Sequence, residues 1–120
     1  MKRLIIYSLL IVYIFALPSF TSYTRAHEPL VTIRGVVSGY SSEERQTDDS
    51  PFITASNERV RDGIVANNCL DFGTEVEIRN KIYEVQDRMN SRYGCEHFDI
   101  WFADTDDAWD WGVQGALVIL

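Results

Sequence analysis

Beyond residue 30 the apolar residues come in short, β-branched runs broken by polar turns, and this spacing restricts the chain more than any other feature. Runs of this kind argue against alternating helix–strand units and for a small all-β domain. Val31–Tyr40 is the first strand-like run, with Gly35 and Gly39 marking bends or close backbone approach. Pro51–Ser56 reads as a short strand, and Asn57 fits a turn with φ > 0. Gly63–Ala66 reads as a buried strand. Glu75–Arg79 alternates, with Val76 and Ile78 inward. A tight turn at Asn80-Lys81 leads to a return strand, Ile82–Asp87.

The next stretch carries most of the candidate chemistry. A strand ends on Asp87, and a loop rich in Arg, Asn and Gly follows. Phe98–Phe102 is a further strand, with Phe98, Ile100 and Phe102 on one face and His97, Asp99 and Trp101 on the other. Aspartate is disfavoured on strands, which singles out Asp99. Thr105 reads as the cap of a short helix that ends at Gly112, with Asp106 and Asp107 in its first turn. Ala116–Leu120 reads as a buried final strand. Six or seven strands and one or two short helices are expected to close into a small barrel.

The N-terminus reads differently. Lys2 and Arg3 precede a 14-residue apolar run, Leu4–Leu17, and Thr24-Arg25-Ala26 offers a cleavage site. This is signal-peptide anatomy, since the run is short for a membrane span. Residues 1–26 are expected to be removed, the alternative being a retained anchor helix, and 27–120 to form one domain. The remaining part holds all eighteen acids and eight of the eleven bases, a net charge of −10. Nucleic acid is an unsuitable partner for such a surface, because phosphate binding runs on Lys and Arg. The expected protein is secreted, periplasmic or cell-wall associated, a monomer without stable membrane insertion. Cys69 and Cys95 fit one disulfide in an exported protein, the alternative being a thiolate site. No zinc spacing and no glycine-rich phosphate loop occurs, so neither a metal nor an organic cofactor is expected.

Four segments together resemble a known family. They are Thr54-Ala55-Ser56-Asn57-Glu58, then Ala66-Asn67-Asn68-Cys69-Leu70-Asp71-Phe72-Gly73-Thr74, then Asp87-Arg88, then Phe98-Asp99. The double-psi β-barrel of rare lipoprotein A shows T-A-S-G-E, A-H-K-T-L-P-F-G-T, N-D-R-G and I-D-L in the same order. The pattern is also similar to the three-aspartate "3D" domain of membrane-bound lytic transglycosylase A. The resemblance covers Val36 to Leu120. It implies a six-stranded double-psi barrel that cleaves peptidoglycan between N-acetylmuramic acid and N-acetylglucosamine, leaving a 1,6-anhydro ring. One carboxyl group would carry both proton transfers. By position, Asp87 matches the second family aspartate and is the expected acid/base, and Asp99 matches the third, in support. Where the first family aspartate stands, this chain has Asn67 and Asn68. Met89 replaces the glycine of D-R-G, and Asp71 replaces a proline.

Around that pair, Tyr40 can stack on a sugar, Asn67 can orient it, Thr54 can bond its hydroxyls, and Arg88 can hold a carboxylate or the substrate. Trp101 can line a subsite, whereas Trp109 and Trp111 read as packing. Two rival readings keep the barrel: a non-catalytic glycan-binding module, and a hydrolase using Asp87 and Asp99 with a water between them.

Overall fold

The computed structural model describes residues 30–43 and 51–120. The N-terminal leader and the acidic residues Glu44, Asp48 and Asp49 lie outside the described residues. The elements are β1 (Thr32–Tyr40), β2 (Ile64–Ala66), β3 (Glu75–Ile78), β4 (Lys81–Asp87), β5 (His97–Trp101), the helix α1 (Thr105–Trp111) and β6 (Gln114–Ile119). The strands close into a barrel in the order β1-β5-β2-β4-β3-β6.

The pairing has an internal symmetry. β1 runs parallel to β5 and β2 parallel to β4, and the other four pairs are antiparallel. Exchanging β1 with β4, β2 with β5 and β3 with β6 leaves every pairing unchanged. The chain therefore builds two interlocked copies of one three-strand unit, which is the double-psi arrangement. β1 and β2 are not neighbours, and neither are β4 and β5: β5 stands between the first two and β2 between the second two, so the chain has to cross a strand each time. Long connections result at symmetry-equivalent places, after β1 (residues 41–63) and after β4 (residues 88–96). Both supply the walls of the site described below. Tyr40, the last residue of β1, is the symmetry counterpart of Asp87, the last of β4.

Alternation along the strands fills the barrel. Val37, Val65, Val76, Ile78, Tyr83, Val85, Phe98, Ile100 and Val118 form its core. Each such side chain contributes about 1.5–3 kcal/mol on burial. Val76 and Ile78 point inward as their spacing predicts, and so do Phe98 and Ile100. Gly39 is a close approach: a Cβ there would lie 2.8 Å from Phe102 Cε2 and 3.2 Å from the Ala108 carbonyl. The missing side chain lets α1 pack on β1 beside the site.

Four local expectations change. Residues 51–56 form no strand, only the single bridge Ile53–Arg59, because the chain reverses at Asn57 with φ 68°. The hairpin turn is Arg79-Asn80, at φ 51° and 64°, and β4 starts on Lys81. Two positive φ values match the twist of a two-residue hairpin. The helix cap is Asp104 rather than Thr105: its side chain accepts from the Asp106 amide at 2.7 Å. The last strand starts at Gln114 and buries one face only, with Val118 inside and Leu117 outside.

The disulfide joins Cys69 to Cys95 across 26 residues of chain, with Cα atoms 5.3 Å apart. It ties the β2–β3 connection to the end of the 88–96 connection. Replacing both cysteines by serine is expected to lower unfolding stability by about 3.5 kcal/mol on the loop-entropy relation. Urea titration of the two proteins checks this, and an unchanged midpoint would exclude it.

Candidate active site

The strand register sets the site. Ser38 pairs with Asp99, Asp99 with Ala66, and Ala66 with Asp87, so one row runs across β1, β5, β2 and β4. At about 4.8 Å per strand, the backbones of Asp99 and Asp87 stand about 10 Å apart. Ala66 lies in the row between them, in one cluster with the Tyr40 ring that reaches Asp87. On β5 the core takes Phe98 and Ile100, which turns Asp99 to the opposite face. The row forms the floor of a cleft of about 760 Å³. Helix α1 borders it on the β1 side, with Ala108 and Trp109, and the 88–96 connection borders it on the β4 side, with Arg88, Asn90, Arg92 and Tyr93.

The two carboxyl groups are held differently. Asp87 accepts three hydrogen bonds: Tyr40 Oη donates to Oδ2 at 2.6 Å, and the amides of Ala55 and Arg88 donate to Oδ1 at 2.9 Å each. Burial pushes the Tyr40 phenol far above its ordinary range, with the charge of Asp87 adding, so Tyr40 stays a donor. Asp99 accepts one bond, from Ser38 Oγ at 2.7 Å. Its other oxygen has no hydrogen-bond partner among the described residues. Burial pushes the Asp99 carboxyl up, the Ser38 hydrogen bond pulls it down and the charge of Asp87 adds to the rise, which together leave it at about 6. The cleft therefore sets a carboxyl that keeps its proton into mildly acidic solution beside a carboxylate bound by three donors.

The other expected residues are distributed unevenly. Tyr40 is buried and joined to Asp87 rather than presented as a sugar platform. Thr54 organises the turn that delivers the Ala55 amide: its hydroxyl meets Ser56 Oγ at 2.9 Å and accepts from the Glu58 amide at 3.1 Å. Asn67 is fully buried and saturated. It donates to the carbonyls of Cys95 and His97, at 2.9 Å each, and accepts from the amides of Cys69 and Leu70, also at 2.9 Å. It is a staple between connections and faces no substrate. Asn68 works likewise, donating to the Asn90 and Tyr93 carbonyls and accepting from the Met89 amide. Arg88 lines the cleft, donates to the Asn67 carbonyl at 2.8 Å and lies 3.8 Å over the Phe72 ring. Trp101 does share the face of Asp99, but it is buried against Tyr40, Ile64 and Ala66 and donates to Ser42 Oγ. It sits behind the cleft wall. His97 stands off the cleft against Tyr93, with Nδ1 3.1 Å from Glu96 Oε1.

Trp109 departs from its expected packing role. It is 73 % exposed and lines the cleft, whereas Trp111 does pack, against Phe102. The sequence reading missed Ser38, Ala66, Arg92 and Tyr93 as well. Strand register alone exposes Ser38 and Ala66, and a helix phase fixed by buried Ala108 exposes Trp109.

Two measurements test this description. Asn67→Asp would place an aspartate near the position where the resembled barrels carry one. It would also set a carboxylate, with at most one proton to donate, against two carbonyls in a site without water access. A loss of about 3–5 kcal/mol is expected, with no gain in any activity. A variant as stable as the parent would refute the staple. Asp99 holds its proton more tightly folded than unfolded. Its contribution to stability therefore falls as pH rises from about 4 to about 6 and stays lost above that. The difference between wild type and Asp99→Asn is expected to change by about 3 kcal/mol over that window, in favour of the variant at pH 7. Denaturant midpoints at pH 4 and pH 7 check it, and a pH-independent difference would remove the raised carboxyl.

No family model matches this chain, and no curated protein is significantly similar to it.

Proposed function

We propose that the cleft cleaves a peptidoglycan-type glycan by lytic transglycosylation, and that the chain is an exported member of the three-aspartate barrel family. The observation that carries this reading is the row of Asp99, Ala66 and Asp87, in which a carboxyl raised to about 6 stands two strands from a second carboxyl group on the floor of one cleft. A glycosidic bond lying over Ala66 meets an acid on one side and a base on the other. Protonated Asp99 gives its proton to the leaving glycosidic oxygen as the C1–O bond breaks. Asp87 takes the proton of the sugar's C6 hydroxyl as that oxygen bonds to C1. The products are a 1,6-anhydro sugar and a free 4-hydroxyl, with the proton now on Asp87. Exchange with solvent resets the pair.

The family resemblance places both transfers on Asp87. The geometry favours dividing them, because both oxygens of Asp87 already accept hydrogen bonds while one oxygen of Asp99 is unbonded among the described residues. Tyr40 then orients Asp87, and the Thr54 turn supports it from the other side through Ala55.

Hydrolysis is the second reading, and the same row favours it. Carboxylates set two strands apart leave space for a water between them, and water in place of the C6 hydroxyl would use the same acid and base. Product mass settles the nucleophile. Purified peptidoglycan incubated with the protein is expected to release anhydro-muropeptides, which are one water lighter than reducing-end products. Asp87→Asn and Asp99→Asn are each expected to lower the rate by 10²–10⁴-fold, roughly the worth of one proton-transfer group. The wild-type rate should fall about tenfold per pH unit above about 6, as Asp99 loses its proton. Full activity in Asp99→Asn would return both transfers to Asp87. Pelleting with the wall without any product would leave a binding module.

A further inference from the structure

The cleft is divided by charge, and that division points to a ligand. Its floor holds Asp87 and Asp99, while its β4-side wall holds Arg88 and Arg92. Neither arginine has a carboxylate partner among the described residues, although Arg61 pairs with Glu84 and Lys81 with Asp62 elsewhere on the surface. Arg88 spends Nη1 on the Asn67 and Asp87 carbonyls. Arg92 spends Nη2 on Tyr93 Oη and lies 4.9 Å over that ring. A guanidinium carries five N–H donors in a rigid fork. Nε and Nη2 of Arg88, and Nε and Nη1 of Arg92, have no acceptor among the described residues. Across the row, Trp109 presents an exposed indole to the same cleft. An apolar plane suits the C–H face of a sugar ring, and a forked donor suits a carboxylate.

We infer that the cleft selects a glycan bearing a carboxylate, with one sugar face on Trp109 and the carboxylate against Arg92 and Arg88. This deepens the proposed function and rests on its placing a glycan over the Asp99–Ala66–Asp87 row. The selection has a physical basis in the protein's own charge. An acidic domain repels an acidic polymer, so affinity for one has to come from local, paired contacts. Two guanidinium groups in a cleft supply them. The carboxylate has two possible sources in a wall polymer, the lactyl group on the sugar and the acids of an attached peptide. The recognition chemistry is the same for both.

Equilibrium binding tests this on the full chain carrying Asp99→Asn, which suppresses turnover, by the quenching of tryptophan fluorescence and by calorimetry. The probes are peptide-free wall glycan, the same glycan with its carboxylates amidated, glycan with its peptides attached, a neutral chitin oligomer, and a uronic-acid oligomer. Amidation is expected to weaken binding to this parent about tenfold or more, the scale of one charge-assisted contact. In Arg92→Gln the same amidation should matter less than threefold. Circular dichroism confirms the fold of that variant, and Arg92→Lys should recover part of the discrimination. Tight binding of peptide-free glycan assigns the carboxylate to the sugar, and binding only with peptides attached assigns it to the peptide. Acidic and neutral glycans binding within twofold of each other would overturn the inference, even if the wall is cleaved. Discrimination without any cleavage would leave the inference standing and remove the enzymatic reading. Selective binding of the uronic-acid oligomer alone would keep carboxylate selection and exclude peptidoglycan. Failure of every probe to bind would overturn the inference.

Discussion

The register between β5 and its two neighbours is the constraint on which the rest depends. Because side chains alternate, a slip of one residue would put Asp99 in the core and Phe98 in the cleft. The barrel prevents that slip from both sides. Phe98 and Ile100 are fully buried in the core, and β5 is locked in parallel to β1 and antiparallel to β2. The same lock that fills the core therefore aligns Ser38, Asp99, Ala66 and Asp87. The geometry of the cleft and the stability of the core are two consequences of one register, so a row with two carboxyl groups can stand on a domain this small.

Holding two acids close together opposes folding, and the surrounding hydrogen bonds offset part of that cost. Asp87 receives donors from three separate segments: the end of β1, the turn after Thr54, and its own following residue. The 88–96 connection is in turn held by Asn67, Asn68 and the disulfide, all within three consecutive residues, 67–69. A buried amide can donate twice and accept twice, which a carboxylate cannot. Asparagine at position 67 is thus the residue that this connection requires. Its presence where the resembled family has aspartate fits the stapling of a loop.

Much of the barrel was legible in the chain. Alternation in Glu75–Arg79 and Phe98–Phe102 marks inward and outward residues correctly, and Cys69 and Cys95 pair as expected. The failures have a common physical origin. Residues 51–56 carry strand-forming types, yet hydroxyl and backbone bonds around Thr54 and Asn57 fold them into a turn. Trp101 is assigned to the correct face, but strand periodicity does not reveal that Ser42 and Tyr40 lie across it. Trp109 is invisible for the opposite reason, since a seven-residue helix has too few turns for its pattern to fix which face is buried. Local periodicity reports orientation relative to the strand. It does not report what a distant loop places on top.

The same limit applies to the site itself. Sequence order brings Asp87 and Asp99 within one loop of each other, which draws attention to them as a pair. Their chemical difference comes from residues far away in the chain. Ser38 is 61 residues from Asp99, and Tyr40 is 47 from Asp87. Both partners arrive on β1, at the positions that the parallel β1–β5 pairing dictates. The internal symmetry of the barrel strengthens the point. Its two halves would place equivalent residues at the ends of β1 and β4, and here those ends are a phenol and a carboxylate joined by a short hydrogen bond. Two like ends would set either two acids or two phenols face to face. The asymmetric choice turns a symmetric frame into a donor at one end and the carboxyl group it holds at the other.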